Sequence, residues 1–282
     1  MTFRTRFAPS PTGPLHLGHA YSAILAHDMA QAAGGDFLLR IDDIDQSRAR
    51  AEWEAQIYDD LAWLGLRWVQ PVRRQSDHLD EYARVLDALA QNGAVYPCSC
   101  KRRDIAAAAS APQEGQPRHG PDGLIYPGTC RGRAYAERGP DDALRLDLSK
   151  AVGPPARMPS FTETGERHAG EHEVTAGYLL DNVGDPVLAR PGMAASYHFS
   201  VVIDDAETRI SHVIRGEDLF EATFLHRFLQ RELGLPTPVY HHHRLIRDDQ
   251  GKRLAKRDDA RAIAKYRADG ATPADIRRML GL

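Results

Sequence analysis

The chain has 282 residues, of which 42% are hydrophobic and 27% charged, and its 36 Lys and Arg against 39 Asp and Glu give a formal net charge of -3. This composition is typical of a globular protein and excludes collagen-like, mucin-like and disordered chains, while the charge excludes a uniformly basic nucleic-acid coat. The sequence has no run of about 18 apolar residues and no signal-peptide core, and three cysteines cannot form a secreted disulfide framework, so we expect a cytoplasmic protein without a membrane span. We also expect a monomer.

The first third of the chain predicts a βαβ unit. Residues 3–8 read as a strand, PSPTGPLHLGH supplies a Pro- and Gly-rich turn, and the apolar-periodic stretch AYSAILAHDMAQAA predicts a helix that ends at Gly34 and Gly35. A second strand, DFLLRID, follows at 36–42. Strand, turn, helix and strand in this order are typical of a doubly wound parallel sheet. Two further helices are predicted at 49–64 and 78–92.

The middle of the chain has a different character. Between Tyr96 and Arg190 lie all three cysteines and a stretch at 110–128 that is rich in Gly, Pro and Ser. Such a stretch is typical of a functional or flexible loop, so we interpret this region as an insertion into the sheet. The elements predicted after it are strands at 197–205 (YHFSVVIDD) and 210–219 (ISHVIRGEDL) and a helix at 221–233.

The order of these elements predicts an α/β fold with a split nucleotide-binding sheet. Its two halves are 1–95 and 191–240, with the inserted module at 96–190 between them. A basic loop and a short helical end make up 241–282, and residues 244–282 hold eleven Lys or Arg against six Asp, an excess of five positive charges (11 − 6). This excess favours either the docking of a polyanion or a solvated helical face.

His16, Gly18 and His19 lie where the first predicted strand turns into the first helix. The N–H groups of a helix N-terminus bind phosphate, and a glycine lets a nucleotide approach the backbone. Imidazoles three residues apart share one face and can donate to a phosphoryl oxygen, although two histidines with structural roles are the alternative. The basic stretch GKRLAKR at 251–257 is weak evidence for a site when taken alone. Together, HLGH and this stretch favour a polyphosphate site.

Cys98, Cys100 and Cys130 supply three soft ligands within the predicted insertion. Three thiolates in a loop-rich region predict a structural zinc site, for which His119 is a chemically suitable fourth ligand. The alternative is three reduced, partly buried cysteines without a metal.

Five motifs in order resemble the catalytic half of a glutamyl-tRNA synthetase, a class I aminoacyl-tRNA synthetase: RFAPSPTGPLHLGH, LLRIDDID, YHFSVVIDD, HVIRGEDL and GKRLAKR. HLGH takes the place of the HIGH signature of that class, and RLAKR at 253–257 takes the place of its KMSKS loop. The resemblance implies a Rossmann-like core that binds ATP, with Mg2+, through His16, Gly18, His19 and Lys256. Of these, His16, His19 and Lys256 are the expected catalytic residues. Arg253 and Ala255 depart from the loop pattern, whereas Lys256 is retained.

The resemblance also implies a glutamate site. A dicarboxylate needs guanidinium forks for its carboxylates and an acid for its ammonium group. Asp42 stands where the family usually has Glu, so the shorter side chain requires a shifted substrate or a bridging water, and Asp43 is the neighbouring alternative. The residues that match the family's glutamate site are Arg6, Ala8, Ser10, Asp42, Tyr197 and Arg215.

For the zinc site, the resemblance implies a tyrosine four residues before the last cysteine, so Tyr126 becomes the expected fourth ligand and His119 the alternative. For the acceptor, only 25 residues follow Arg257, so we expect no anticodon-binding domain. This layout resembles truncated paralogues of glutamyl-tRNA synthetase and implies transfer of glutamate to queuosine in tRNA(Asp). The alternatives are a minimal glutamyl-tRNA synthetase charging tRNA(Glu), a small-molecule adenylyltransferase, and an inactive glutamate- or tRNA-binding paralogue.

Overall fold

A computed structural model describes residues 2–109, 119–121, 123–153, 158–247 and 261–282. Its first elements are β1 (Arg4–Phe7), α1 (Leu17–Ala32), β2 (Asp36–Ile41), α2 (Ala51–Trp63), β3 (Val69–Arg74), a 3-10 turn (Gln75–His78) and α3 (Leu79–Gln91). β1 and β2 are parallel neighbours, and β3 joins β2 in the same direction. The predicted βαβ unit and both following helices are therefore confirmed.

The middle of the chain forms a separate antiparallel sheet. The elements of this middle region are β4 (Val95–Cys98), α4 (Arg102–Ala109), β5 (His119–Gly120), β6 (Gly123–Leu124), a 3-10 turn (Tyr135–Glu137), β7 (Ala143–Leu146), α5 (Leu148–Ala151), β8 (Ser160–Glu163), β9 (Gly170–Glu173), α6 (Ala176–Tyr178), a π-helical turn (Leu179–Val183) and β10 (Val187–Ala189). The strand order in this sheet is β10-β7-β4. β8 and β9 instead join the strands that follow, so part of the predicted insertion belongs to the second half of the core.

The second half of the core consists of α7 (Tyr197–Glu207), β11 (His212–Gly216), a 3-10 turn (Glu217–Leu219), α8 (Ala222–Glu232) and β12 (Val239–His243), followed by α9 (Ile263–Ala268) and α10 (Pro273–Leu280). β11, β12 and β8 run parallel in a sheet of order β11-β12-β8-β9. β11 lies beside β1, since the N–H of Ser211 donates to the carbonyl oxygen of Arg4 at 3.0 Å. The two halves of the split sheet therefore meet edge to edge.

The prediction of a strand at 197–205 is wrong, because this segment is the helix α7. Val201, Val202 and Ile203 are β-branched residues, which favour strands, and they form an unbroken apolar run. All three are at most 3% exposed in the helix, which is buried on nearly every side. A short apolar run does not distinguish a buried strand from a buried helix, so the pattern was ambiguous.

The larger hydrophobic cluster joins the middle region to the rest of the fold. It includes Leu86 of α3, Leu146 of β7, Phe199 of α7 and Phe228 of α8, all at most 5% exposed. The predicted module at 96–190 thus shares a core with both of its neighbours in sequence. A second cluster fills the space around α1, β1, β2, α2 and α10.

The C-terminal helices are tied to the first half of the core by ion pairs. Arg277 donates to both carboxylate oxygens of Asp28 on α1, at 2.6 and 3.0 Å, and Arg267 pairs with Asp59 on α2 at 2.7 Å. Half-exposed pairs of this kind stabilise by about 1 kcal/mol or less each. These positive charges at 261–282 are therefore used within the fold. Among the described helices, none is long and apolar enough to span a bilayer.

Asp60 on α2 has a fully buried carboxylate, and neither of its oxygens has a hydrogen-bond partner among the described residues. Burial, followed by the charge of Asp59, raises its pKa to about 6. Because this pKa is raised in the folded state, the free energy of unfolding falls as pH rises from about 4 through 6. Above that range Asp60 must ionise in the fold without a partner.

We predict that Asp60→Asn raises the free energy of unfolding by about 2–3 kcal/mol at pH 8, because the amide cannot ionise, and changes it little at pH 4. Urea unfolding at the two pH values measures the difference. The same change at both pH values would show that ionisation of Asp60 is not the cause.

Candidate active site

The predicted site residues gather at the carboxyl ends of the parallel strands, near the line where the two sheets meet. His16 and His19 begin α1 after β1, Asp42 follows β2, and Arg215 lies near the end of β11. Ligands of open α/β sheets bind at this edge. The arrangement places residues from both ends of the sequence around one region.

HLGH forms the N-terminal cap of α1. Nδ1 of His16 accepts the N–H of Gly18 at 3.1 Å, and Nδ1 of His19 accepts the N–H of His16 at 3.2 Å, which makes a reciprocal capping box. Since both Nδ1 atoms accept, each neutral ring carries its hydrogen on Nε2. A Cβ on residue 18 would lie 3.0 Å from Cε1 of His16, so the ring position itself favours glycine there.

The chain that follows the basic loop returns to HLGH. His16 and Ala262 form an isolated antiparallel bridge, and the N–H of Ile263 donates to the carbonyl oxygen of Leu15 at 2.8 Å. The GKRLAKR stretch, with the expected catalytic Lys256, lies outside the described residues. The described chain resumes at Arg261, and Ala262 is already paired with His16.

A cavity of about 730 Å³ lies at the same edge of the sheet. Oγ of Ser22 on α1 lies 2.6 Å from Nε2 of His243 at the end of β12. This contact links α1 to β12, the two elements on either side of the cavity. Its lining residues include Tyr21, Glu217, His241, His242, His243 and Arg244. The three consecutive histidines thus lie next to the HLGH helix, and the cavity is large enough for a nucleotide.

Arg6 already uses its fork on a carboxylate of this chain. Its Nε and Nη2 donate to the two oxygens of Asp205 on α7 at 3.0 and 3.2 Å, and Arg40 donates to the same carboxylate at 2.6 Å. Burial opposes ionisation of Asp205, but the two guanidinium groups lower its pKa. One N–H of Nη1 also donates to the carbonyl oxygen of Ile214 at 3.4 Å. In this arrangement Arg6 therefore offers a substrate one N–H on Nη1 and one on Nη2, rather than a free fork.

Asp42 is close to the site but is paired as well. Arg40 donates its Nε and Nη2 to the two oxygens of Asp42 at 2.7 and 3.3 Å. Burial raises the pKa of Asp42 to about 6, and Arg40 partly opposes the shift. The alternative acid, Asp43, accepts the backbone N–H and the hydroxyl of Ser76 at 2.8 and 2.6 Å. Each acid therefore reaches a substrate ammonium group only by sharing its oxygens with these donors.

Arg215 is 6% exposed and is held from several sides. Its Nε donates to Nε2 of His242 at 3.0 Å, its Nη1 lies 3.0 Å from Nδ1 of His226, and its Nη2 donates to Oγ1 of Thr223 and to the carbonyl oxygen of Leu219 at 2.8 and 3.2 Å. Like Arg6, it cannot present a free fork in this arrangement.

Tyr197 is the first residue of α7 and is 38% exposed. It lines a cleft of about 570 Å³ between α7 and the cysteine-containing region. Its other polar lining residues include Arg102, Tyr126, Arg145, Asp185, Arg190, Ser196 and His198. Three arginines against one carboxylate give this cleft a net basic character. Ala8 and Ser10 lie in the loop after β1, where the N–H of Asp42 donates to the carbonyl oxygen of Pro9 at 3.0 Å.

The three cysteines converge as predicted, with all sulfurs within 4.8 Å of one another. Sγ of Cys100 lies 3.5 Å from that of Cys130, and Oη of Tyr126 lies 3.4 and 3.6 Å from the sulfurs of Cys98 and Cys100. In a tetrahedral zinc site, sulfurs are about 3.8 Å apart, and a sulfur and an oxygen about 3.5 Å. The donor set therefore fits zinc. Among the described residues, His119 is not part of this group.

The cluster also favours ionisation of one thiol. Burial opposes ionisation of Cys130, but hydrogen bonds from Tyr126 and its other neighbours lower its pKa to about 6. Burial and the adjacent thiols raise the pKa of Cys100 to about 11. One thiolate is therefore available near neutral pH, and thiolate is the form that binds a metal.

Asp205 and His226 were not predicted from the sequence. Asp205 lies in YHFSVVIDD, but its contact with Arg6 depends on that segment being a helix. His226 lies on the buried face of α8 at 1% exposure, and a single histidine on an apolar face gives no sequence signal. Both touch an arginine of the predicted glutamate site.

The fold is that of a class I tRNA synthetase catalytic domain. A family model described as tRNA synthetases class I (E and Q), catalytic domain, matches residues 2–122 and 170–282. The chain therefore belongs to this family.

Its similar relatives include proteins named glutamyl-Q tRNA(Asp) synthetase. The chain is 62% identical to that of Rhodobacter capsulatus over 99% of both chains. It is 38% identical to that of Albidiferax ferrireducens, over 92% of this chain and 85% of the relative. The resemblance stated from the motifs is thus confirmed, and the chain is an enzyme of this type.

Solved structures show the same core within longer proteins. The glutamate-tRNA synthetase of Elizabethkingia anophelis superposes with a TM-score of 0.76 at 26% identity, covering 99% of this chain and 61% of that one. A glutamate tRNA ligase of Elizabethkingia meningosepticum, solved with its amino acid, gives a TM-score of 0.75 at 27% identity, covering 99% and 60%. The chain thus spans about three fifths of these synthetases.

Proposed function

We propose that this enzyme activates L-glutamate with ATP and transfers the glutamyl group to queuosine in the anticodon loop of tRNA(Asp). The match over 99% of both chains to a relative named for this reaction carries the proposal. The capped HLGH turn begins the helix α1, and Tyr21 and Leu25 of the same helix line a nucleotide-sized cavity, which supports the ATP step. The minimal glutamyl-tRNA synthetase is the second candidate, favoured by the likeness to solved glutamate-tRNA synthetases.

In the activation step, an oxygen of the glutamate α-carboxylate forms a bond to the α-phosphorus of ATP, and the bond from that phosphorus to the bridging oxygen breaks. The products are glutamyl-adenylate and pyrophosphate, and no proton is transferred. Mg2+ bound to the ATP would supply neutralisation of the polyphosphate charge. The Nε2–H groups of His16 and His19 donate to phosphoryl oxygens, and Lys256 neutralises the leaving pyrophosphate, so catalysis is positioning and charge stabilisation.

Glutamate binds between Arg6 and Arg215, each of which is also hydrogen-bonded within the chain. The N–H groups that Arg6 and Arg215 retain donate to the substrate carboxylates, and Tyr197 supplies a hydroxyl at the exposed edge. Asp42, shared with Arg40, receives the ammonium group. Single hydrogen bonds from charged donors replace the bidentate forks that the residue types suggested.

The acceptor enters the basic cleft beside Tyr197. Arg102, Arg145 and Arg190 line this cleft, and guanidinium groups suit the phosphodiesters of an anticodon loop. In the transfer step, a hydroxyl of queuosine attacks the carbonyl carbon of glutamyl-adenylate, loses its proton to water and releases AMP. Zinc held by the three cysteines and Tyr126 would keep that side of the cleft rigid.

The test is transfer of labelled glutamate to bulk tRNA with and without queuosine. We expect label only on queuosine-containing tRNA(Asp). Periodate treatment of the tRNA should abolish it, because periodate cleaves the carbon–carbon bond of a vicinal diol, but since the 3′-terminal ribose is cleaved too, the comparison of tRNA with and without queuosine identifies the acceptor. Label on tRNA(Glu) regardless of queuosine would identify a minimal glutamyl-tRNA synthetase. Absence of both transfer and glutamate-dependent pyrophosphate exchange would identify a binding module.

A further inference from the structure

Five side chains form a continuous hydrogen-bonded row through the buried part of the candidate glutamate site, here named the Arg215 network. The row runs from Glu163 through His242, Arg215 and His226 to His198. The successive distances are 2.5 Å from Oε2 to Nδ1, 3.0 Å from Nε2 to Nε, 3.0 Å from Nη1 to Nδ1, and 2.9 Å from Nε2 to Nδ1. The first four residues are at most 6% exposed.

The arginine fixes the direction of every hydrogen bond in this row. A guanidinium only donates, so Nε2 of His242 and Nδ1 of His226 must both be acceptors. The hydrogen of His242 is therefore on Nδ1 and is donated to Glu163. The hydrogen of His226 is on Nε2 and is donated to His198, whose Nδ1 must accept it.

Burial and charge agree with these assignments. Burial, assisted by the positive charge of Arg215, holds the pKa of His226 well below its usual range. Burial lowers the pKa of His242 to about 4 although Glu163 opposes the shift. Burial would raise the pKa of Glu163, but its hydrogen bonds with His242 lower it to about 2. Both imidazoles that contact Arg215 are therefore neutral at physiological pH.

The network also decides what Arg215 can offer. Four of its five N–H groups have partners among the described residues: Nε–H with His242, one N–H of Nη1 with His226, and both of Nη2 with Thr223 and Leu219. The remaining N–H is on Nη1, the nitrogen that His226 holds. The plane and rotation of the guanidinium thus depend on imidazole acceptors on two different elements, α8 and β12.

We propose that His226 is a positioning residue for Arg215: as a neutral acceptor it holds Nη1 and directs the last N–H of this nitrogen toward a substrate carboxylate. His242, fixed by Glu163, holds the opposite side of the guanidinium in the same way. This inference rests on the proposed function, because it takes Arg215 as a contact of glutamate. Without His226, the N–H groups of Nη1 are free to turn away from the substrate.

The experiment compares His226→Leu with His226→Asn in pyrophosphate exchange, with and without tRNA. Leucine removes the acceptor, whereas Oδ1 of asparagine can occupy a position close to Nδ1. We expect His226→Leu to raise KM for glutamate about ten-fold or more, the effect of leaving a buried charged donor unpaired, with KM for ATP unchanged. His226→Asn is expected to restore KM for glutamate to within about three-fold of wild type.

Gln230→Leu is the matched control. It lies one turn further along α8, is 2% exposed, and donates to Oη of Tyr240 at 2.9 Å. The Arg215 guanidinium lies 5.4 Å from the centre of the Tyr240 ring, but Gln230 itself makes no hydrogen bond to Arg215. It should lower Tm about as much as His226→Leu while leaving KM for glutamate unchanged. Titration calorimetry with L-glutamate gives the same comparison without turnover.

The outcomes separate the two proposals. If the wild type neither binds glutamate nor supports exchange, the proposed function fails. If the wild type is active and His226→Leu has the KM of wild type, or His226→Asn is as impaired as His226→Leu, the positioning role fails while the proposed function stands.

Discussion

Replacing Cys130 with serine is expected to abolish the zinc binding that the cysteine cluster predicts and to lower the Tm of the protein sharply. Cys130 contacts two other members of the cluster: its sulfur is 3.5 Å from that of Cys100, and its N–H donates to Oη of Tyr126 at 2.7 Å. Binding of a structural zinc contributes about 10–16 kcal/mol in small zinc domains, so loss of one thiolate should unfold at least the region around β4. Zinc analysis per chain and calorimetry measure the two effects.

Two further variants identify the fourth ligand. Tyr126→Phe should retain the three thiolates and bind zinc more weakly, whereas His119→Ala should bind as the wild type does. The reverse result would make His119 the ligand. Wild-type protein purified without chelators should contain about one zinc per chain, and a value near zero would contradict the metal site itself.

The elements with clear boundaries could be predicted from the sequence. Gly34 and Gly35 end α1, and the alternation of strand and helix around them predicts parallel pairing, which the structure confirms. The segment at 197–205 could not be assigned, because Val201, Val202 and Ile203 suit a buried strand and a buried helix equally. Only contacts that are distant in sequence decide between the two.

The same reason limits prediction of the site. Residue types at positions 6, 42 and 215 indicated carboxylate and ammonium chemistry, but not that the chain itself supplies their first partners. Arg6 meets Asp205 across 199 positions and Arg215 meets His242 across 27. Such pairings depend on how α7, β11 and β12 pack, which local patterns do not encode.

Asp205→Asn is expected to lower the free energy of unfolding by about 3–5 kcal/mol, because it leaves two buried guanidinium groups without their shared carboxylate. Arg6 and Arg40 both donate to Asp205, and the side chains of Arg6 and Asp205 are 7% and 9% exposed. Glutamate activation should fall as well, since Asp205 fixes the position of Arg6. Urea unfolding and pyrophosphate exchange measure the two effects.

The matched control is the ion pair between Arg4, two residues before Arg6 on β1, and Asp36 on β2. Arg4 donates through Nε and Nη2 to Asp36 at 3.0 and 2.6 Å, much as Arg6 donates to Asp205, but the side chains of Arg4 and Asp36 are 29% and 34% exposed. Water can solvate both charges when this pair is broken, so Asp36→Asn should cost about 1 kcal/mol or less. If both variants lower the free energy of unfolding equally, burial does not explain the contribution of the pair of Arg6 and Asp205. A large difference, accompanied by loss of exchange only in Asp205→Asn, would tie the stability of this buried pair to the glutamate site.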